Sequence, residues 1–185
     1  MNIIGIIPAR MASTRFPNKP MANILGMPMI GHCFKRSLMC NLLTDVYVAT
    51  CDKIIYDYIE SIGGKAIMTL DTHEIASDRT AEAMLKIEKK IGKKIDIVVL
   101  LQGDEPMTVP EMITQALEPF KKTVSPPPVV NLVAPITTES EFNDPNCIKV
   151  VVDSEWNAMY FSRSPIPVGT THPRFSMHKQ ICVIP

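Results

Sequence analysis

Two stretches of this chain read as apolar strands without alternation: residues 2–7, which stop at Pro8, and Ile95–Leu101, which runs into Gln102. A strand with one face in water alternates at period two. An unbroken run fits a strand covered on both faces, as in a parallel sheet flanked by helices. Helix signals recur between the strands. Residues 29–39 place Ile30, Phe34 and Leu38 on one face, with Pro28 at the first turn. Val46–Thr50 reads as a second strand, followed by a helix capped by Asp52 with Ile55, Tyr58, Ile59 and Ile62 inward, which Gly63-Gly64 ends. Residues 65–68 form a short strand, Ser77 caps a helix with Asp78 and Glu82 in its early turns, and Pro110-Glu111 opens another. Strand–helix alternation through residue 120 predicts a three-layer α/β/α fold with a mostly parallel sheet.

Beyond the connector Ser125-Pro126-Pro127-Pro128 the pattern changes. Residues 129–136, 147–153, 157–161 and 177–184 read as strands with short links, a small antiparallel part serving as lid or dimerisation surface. The expectation is one domain over 1–185, with a nucleotide-binding core over about 1–125 and a second part over about 126–185.

In open α/β sheets ligands bind beyond the carboxyl ends of the strands. The loop after the first strand delivers Arg10, Arg15 and Lys19 to that edge, with the hydroxyls of Ser13 and Thr14, and no Asp or Glu precedes Asp45. Arg offers bidentate donors to phosphate oxygens and Lys a compact charge. The loop therefore suits a polyanion such as a nucleoside triphosphate. It contains neither GxGxxG nor GxxxxGK[ST], so neither a dinucleotide fold of the common type nor a P-loop is supported. Gln102-Gly103-Asp104-Glu105 leaves its strand at the same edge, and a carboxylate there is a suitable Mg²⁺ ligand beside phosphate oxygens. On spacing alone, Asp104 is equally a helix-capping or solvated loop acid. His73 and Arg79 could hydrogen-bond a base, but their spacing alone favours helix capping. Arg163, His178 and Lys179 could meet an acidic substrate, although each alone is more often a surface residue.

The remaining composition narrows the class. The formal net charge is zero, which does not suit nucleic-acid or membrane-surface attraction. Cys33, Cys40, Cys51, Cys147 and Cys182 make no CxxC pair and read as reduced thiols of a cytoplasmic protein. No apolar stretch approaches the ~20 residues of a membrane span, and apolar residues begin at once without a basic leader, so no signal peptide is expected.

In combination, Ile7-Pro8-Ala9-Arg10, Ser13, Arg15, Pro17, Lys19-Pro20, Asp78-Arg79 with Ala81-Glu82, Gln102–Pro106, Tyr160–Arg163 and Ile166-Pro167 resemble the 3-deoxy-manno-octulosonate cytidylyltransferases, the CMP-Kdo synthetases. The resemblance runs through nearly the whole chain in order. It implies a Rossmann-like sheet of the nucleotide-diphospho-sugar transferase type. The implied reaction uses CTP and Mg²⁺ to activate an acidic 2-keto sugar with release of pyrophosphate, in a homodimer. It implies that Arg10, Arg15 and Lys19, with Ser13, hold the triphosphate, and that Ala9, Arg79 and Gln102 contact the nucleoside. Asp104 would bind Mg²⁺, and Arg163, His178 and Gln180 would face the sugar acid. Arg10, Lys19 and Asp104 are the expected catalytic residues. Departures lie at Ile75-Ala76-Ser77, where the family has Ser-Gly-Thr, at Cys51, where an Asp is frequent, and around Cys182. Family members also continue past the equivalent of Pro185, so the chain reads as shortened at its C-terminus. The alternatives are a cytidylyltransferase for a nonulosonic acid and a non-catalytic CTP-binding module.

Overall fold

In a computed structural model of the chain the described residues are 1–12, 16–122, 126–167, 177–181 and 183–185. They fall into two compact units, Met1–Val130 with Val183–Pro185, and Asn131–Cys182.

The first unit is organised around β1 (Ile3–Ala9), the central strand. A short 3₁₀ turn (Lys19–Met21) and a small hairpin of β2 (Asn23–Ile24) and β3 (Met27–Pro28) follow it. Next come α1 (Met29–Leu38), β4 (Asp45–Thr50), α2 (Lys53–Ser61), β5 (Ala66–Met68), α3 (Ala76–Ile91), β6 (Ile97–Leu101) and α4 (Pro110–Lys122). β11 (Val183–Ile184) returns to complete the sheet, whose order is β11-β6-β1-β4-β5. β1 is parallel to both β4 and β6, β4 is parallel to β5, and β11 runs antiparallel to β6.

The unbroken apolar strands have the cause inferred from sequence, because both sheet faces are covered. Ile4, Ile6, Tyr47, Ala49 and Ile67 pack with Ala83 and Ile87 of α3. The alternate positions Ile3 and Ile7 are also buried and point to the opposite face. On that side α1 and α2 are in contact, since a Cβ on Gly64 would meet both Phe34 and Ile59. Burying an isoleucine fully is worth about 1.5–3 kcal/mol, and Ile4, Ile6, Ile7, Ile30, Ile55, Ile59 and Ile87 are each 1% exposed or less. These isoleucines, from β1 and from α1, α2 and α3, pack the two faces of the sheet.

The second unit holds β7 (Leu132–Pro135), α5 (Glu139–Asn143), β8 (Lys149–Val152), β9 (Ala158–Ser162) and β10 (His178–Ile181). Its antiparallel sheet has the order β7-β10-β8-β9.

Four local readings need correction. Residues 177–184, read as one strand, contribute β10 to the second sheet and β11 to the first. The helix read as capped by Ser77 begins at Ala76, with Ile75 at the cap position and no side-chain cap. Asp52 stands at the cap position of α2 as read, but its side chain makes no capping bond, because its carboxylate accepts the Met11 N–H instead. The short helix α5, capped by Thr138, and the β2–β3 hairpin carry too few periodic residues to be seen in sequence.

Candidate functional site

The carboxyl ends of β1 and β6 open onto a cavity of about 560 Å³ in the first unit. Its polar walls come from three places, with Met29 of α1 also lining it. Pro8–Arg10 and Lys19 come from the β1 exit, Gln102–Asp104 from the β6 exit, and His73–Ala76 with Arg79 from the approach and first turn of α3. Ala9, Arg10, Lys19, Arg79, Gln102 and Asp104, predicted from sequence for one site, therefore line one cavity. Ser13 and Arg15 lie outside the described residues.

The two exit loops touch. Lys19 Nζ donates to Asp104 Oδ2 at 2.6 Å, with both side chains partly exposed. Backbone geometry allows the approach, because a Cβ on Gly103 would stand 2.9 Å from the Pro8 carbonyl oxygen. Only a residue without a side chain lets the β6 exit lie this close to β1. Asp52, at the end of neighbouring β4, accepts the Met11 N–H at 2.7 Å and so anchors the start of the basic loop. Beside Asp104, partial desolvation pushes the Glu105 carboxyl above the usual carboxylate range. The Asp104 charge adds to this and Lys19 opposes it.

The opposite wall is tied down by α3. Arg79 is 3% exposed. Its Nη1 donates to Thr69 Oγ1 and, at 3.1 Å, to the Leu70 carbonyl, and its Nη2 reaches the His73 carbonyl at 3.4 Å. Arg10 Nη1 donates to the same His73 carbonyl at 3.3 Å. One turn further along α3, Glu82 accepts from the Leu70 N–H at 2.9 Å, from Lys86 at 2.7 Å and from the His73 imidazole. Burial alone would raise its carboxyl, but these donors, Lys86 foremost, hold it down to about 2. The wall residues Leu70–His73 are thus pinned by an arginine and a glutamate of one helix. Sequence reasoning placed Glu82 as a dipole partner and as part of the family resemblance, and its spacing to Leu70 and His73 gave no signal.

In the second unit Arg163 Nη1 donates to the Pro145 carbonyl at 2.9 Å. Gln180 Nε2 donates to Asn131 Oδ1 at 2.9 Å. His178 is 8% exposed and meets the Trp156 ring nearly edge-on, with centroids 5.1 Å apart. His178 and Gln180 are two apart on β10 and so share a sheet face. A residue that sequence reading passed over is Lys149, a fully buried cation whose ammonium donates to the carbonyls of Asp144 (2.6 Å), Cys147 (2.8 Å) and Arg163 (3.0 Å). An unpaired buried ammonium is costly, and these carbonyls offset that cost while fixing the backbone that carries Arg163. A lysine beginning the valine run of β8 was the available signal.

Cys33, Cys40, Cys51 and Cys147 are free thiols. Burial pushes the Cys33 thiol up to about 12, so it is an inert core group. Among the described residues no cluster of three or more His, Cys, Asp or Glu is poised to hold a metal, and no helix is long and apolar enough to cross a membrane.

The fold and the sequence have close counterparts. A solved CMP:2-keto-3-deoxy-manno-octonic acid synthetase, complexed with CTP, superposes with a TM-score of 0.87 at 37% identity, covering 100% of this chain and 73% of that one. The 8-amino-3,8-dideoxy-manno-octulosonate cytidylyltransferase of Shewanella piezotolerans is 40% identical over 99% of the chain, which spans 74% of that protein. The 3-deoxy-manno-octulosonate cytidylyltransferase of Trichlorobacter lovleyi is 44% identical over 90% of the chain, the match spanning 64% of that protein. The family model described as cytidylyltransferase matches residues 4–182. With the sheet order, the paired exit loops and these matches in agreement, the chain belongs to the cytidylyltransferase family.

Proposed function

We propose that this chain transfers the cytidylyl group of CTP to an acidic eight-carbon 2-keto sugar, 3-deoxy-manno-octulosonate, releasing pyrophosphate. The observation that carries the reading is the 2.6 Å contact between Lys19 and Asp104, which puts a cation and a carboxylate from two loops at one cavity. The anomeric hydroxyl of the sugar attacks the α-phosphorus, a new C–O–P bond forms, and the bond to the β-phosphate breaks. The hydroxyl proton passes to solvent and pyrophosphate leaves. Arg10 and Lys19, with Ser13 and Arg15 of the same loop, neutralise the triphosphate and the charge that builds on the leaving group. Arg79 keeps the wall in place for the nucleoside, beside Ala9 and Gln102. Positioning and electrostatics carry such a reaction.

Asp104 fits Mg²⁺, which takes one or two carboxylates and draws its other ligands from phosphates and water. When bound, Mg²⁺ would supply charge neutralisation at the phosphates and a lower pKa for the attacking hydroxyl. Arg163, His178 and Gln180 are the residues proposed to face the sugar acid. The free thiols suit a cytoplasmic enzyme, and its product would feed lipopolysaccharide or other surface-glycan synthesis. The exposed Met159 and Tyr160 on edge strand β9 suit a homodimer contact.

A second reading rests on the Shewanella relative, whose name specifies the 8-amino sugar. A pyrophosphate-release assay with CTP, Mg²⁺ and a panel of 3-deoxy-manno-octulosonate, its 8-amino analogue and a nonulosonic acid separates these sugars. CTP binding without turnover on any of them would leave a binding module instead of an enzyme.

A further inference from the structure

We infer that Trp156 is a sugar-facing platform, an indole held against His178 by a left-handed turn so that the ring of an acidic sugar packs on it. The inference rests on the proposed acidic-sugar substrate and adds a residue that the sequence resemblance does not assign.

Trp156 lies in the turn between β8 and β9 at φ +67°. For a bulky residue this is a true outlier that costs energy and persists only where its surroundings impose it. Here they do. The Asp153 carboxylate accepts from Glu155 N at 2.9 Å, Asn157 N at 2.8 Å and Asn157 Nδ2 at 2.9 Å, and the Asp153 N–H donates to the Asn157 carbonyl at 3.0 Å. None of these bonds needs an indole, and glycine would occupy the position with less strain. The side chain gains little from burial in return, since Trp156 remains 63% exposed. What it gains is one oriented contact, with its ring 5.1 Å from the His178 imidazole at 71° between planes. His178 is itself buried on β10 between β7 and β8, so it is a fixed support. The indole is thus held by this one ring contact and exposed over most of its surface. Aromatic faces accept the C–H faces of sugar rings, and the indole N–H adds a donor for a hydroxyl or carboxylate.

Trp156 is the chain's one tryptophan, so indole emission excited beyond the tyrosine band reports this site alone. Titration with 3-deoxy-manno-octulosonate is expected to change that emission saturably, whereas glucose leaves it flat. Trp156→Gly should raise the KM for the sugar acid roughly three- to tenfold. It should leave the KM for CTP in place and keep or raise the Tm, since the turn is relieved of strain. Trp156→Phe should restore most of the sugar KM. Flat emission at high sugar acid would overturn the inference. So would Trp156→Gly lowering Tm and raising both KM values together, which marks a packing residue. Emission that follows protein concentration and not sugar would also overturn it, by assigning the face to a second copy of the chain. If emission responds to the sugar acid but no pyrophosphate is released, the platform stands and the transfer reading falls. If transfer proceeds while emission and sugar KM stay unchanged, the platform falls and transfer stands.

Discussion

Lys19 and Asp104 are 85 residues apart and end 2.6 Å apart. A partly exposed ion pair of this kind adds under about 1 kcal/mol to stability, so its effect should appear in catalysis. Lys19→Met and Asp104→Asn are each expected to leave the Tm nearly unchanged while lowering CTP-dependent pyrophosphate release roughly 10²–10³-fold. Unchanged release in Asp104→Asn would remove the metal role proposed for this carboxylate. Glu82 behaves differently because its carboxyl is held at about 2, below the ordinary 4.5. A depressed folded-state pKa contributes stability that is full above the unfolded value and is lost as pH falls through the folded one. Glu82→Gln should therefore lower Tm at pH 7 by roughly 2–8 °C. The difference from the parent should shrink between about pH 4.5 and about pH 2 in a thermal-melt series. The meeting of Lys19 and Asp104 at one sheet edge was legible because loop position at a strand end limits where a charge can go. The roles of Glu82 and Lys149 were not, because each depends on backbone groups that only the fold brings near.

The β1 and β6 exits meet because Gly103 passes the Pro8 carbonyl with no side chain between them. Gly103→Ala places a Cβ 2.9 Å from that oxygen, so the loop must move. A displacement approaching 1 Å predicts a loss of kcat of roughly 10- to 100-fold with the fold retained by circular dichroism. The strands themselves were readable from their unbroken apolar runs, and α1 and α2 from their periodic faces. Helix starts were less so. Ser77 and Asp52 have the chemistry of caps, but Asp52 is claimed by Met11, 41 residues away, a competitor no local pattern reveals. The assignment of β10 to one sheet and β11 to another was hidden for a related reason: no glycine, proline or other turn signal separates them in the sequence.

The chain as a whole combines a neutral net charge with a locally cationic loop, and a parallel α/β unit with an antiparallel one. The first unit contains the cavity and the second contains Arg163, His178 and Gln180. The fold class was accessible from sequence because strand–helix rhythm is a global pattern. The choice among sugars was not, since the eight-carbon acid and its 8-amino analogue differ by one substituent and relatives named for both match this chain. The central claim is that the cavity moves a cytidylyl group, not merely that it binds CTP. The direct measurement follows CTP labelled at its α-phosphorus through incubation with Mg²⁺ and 3-deoxy-manno-octulosonate. The account predicts that the label passes to a CMP-sugar in step with pyrophosphate release. Bound CTP whose label never reaches any sugar acid of the panel would contradict it.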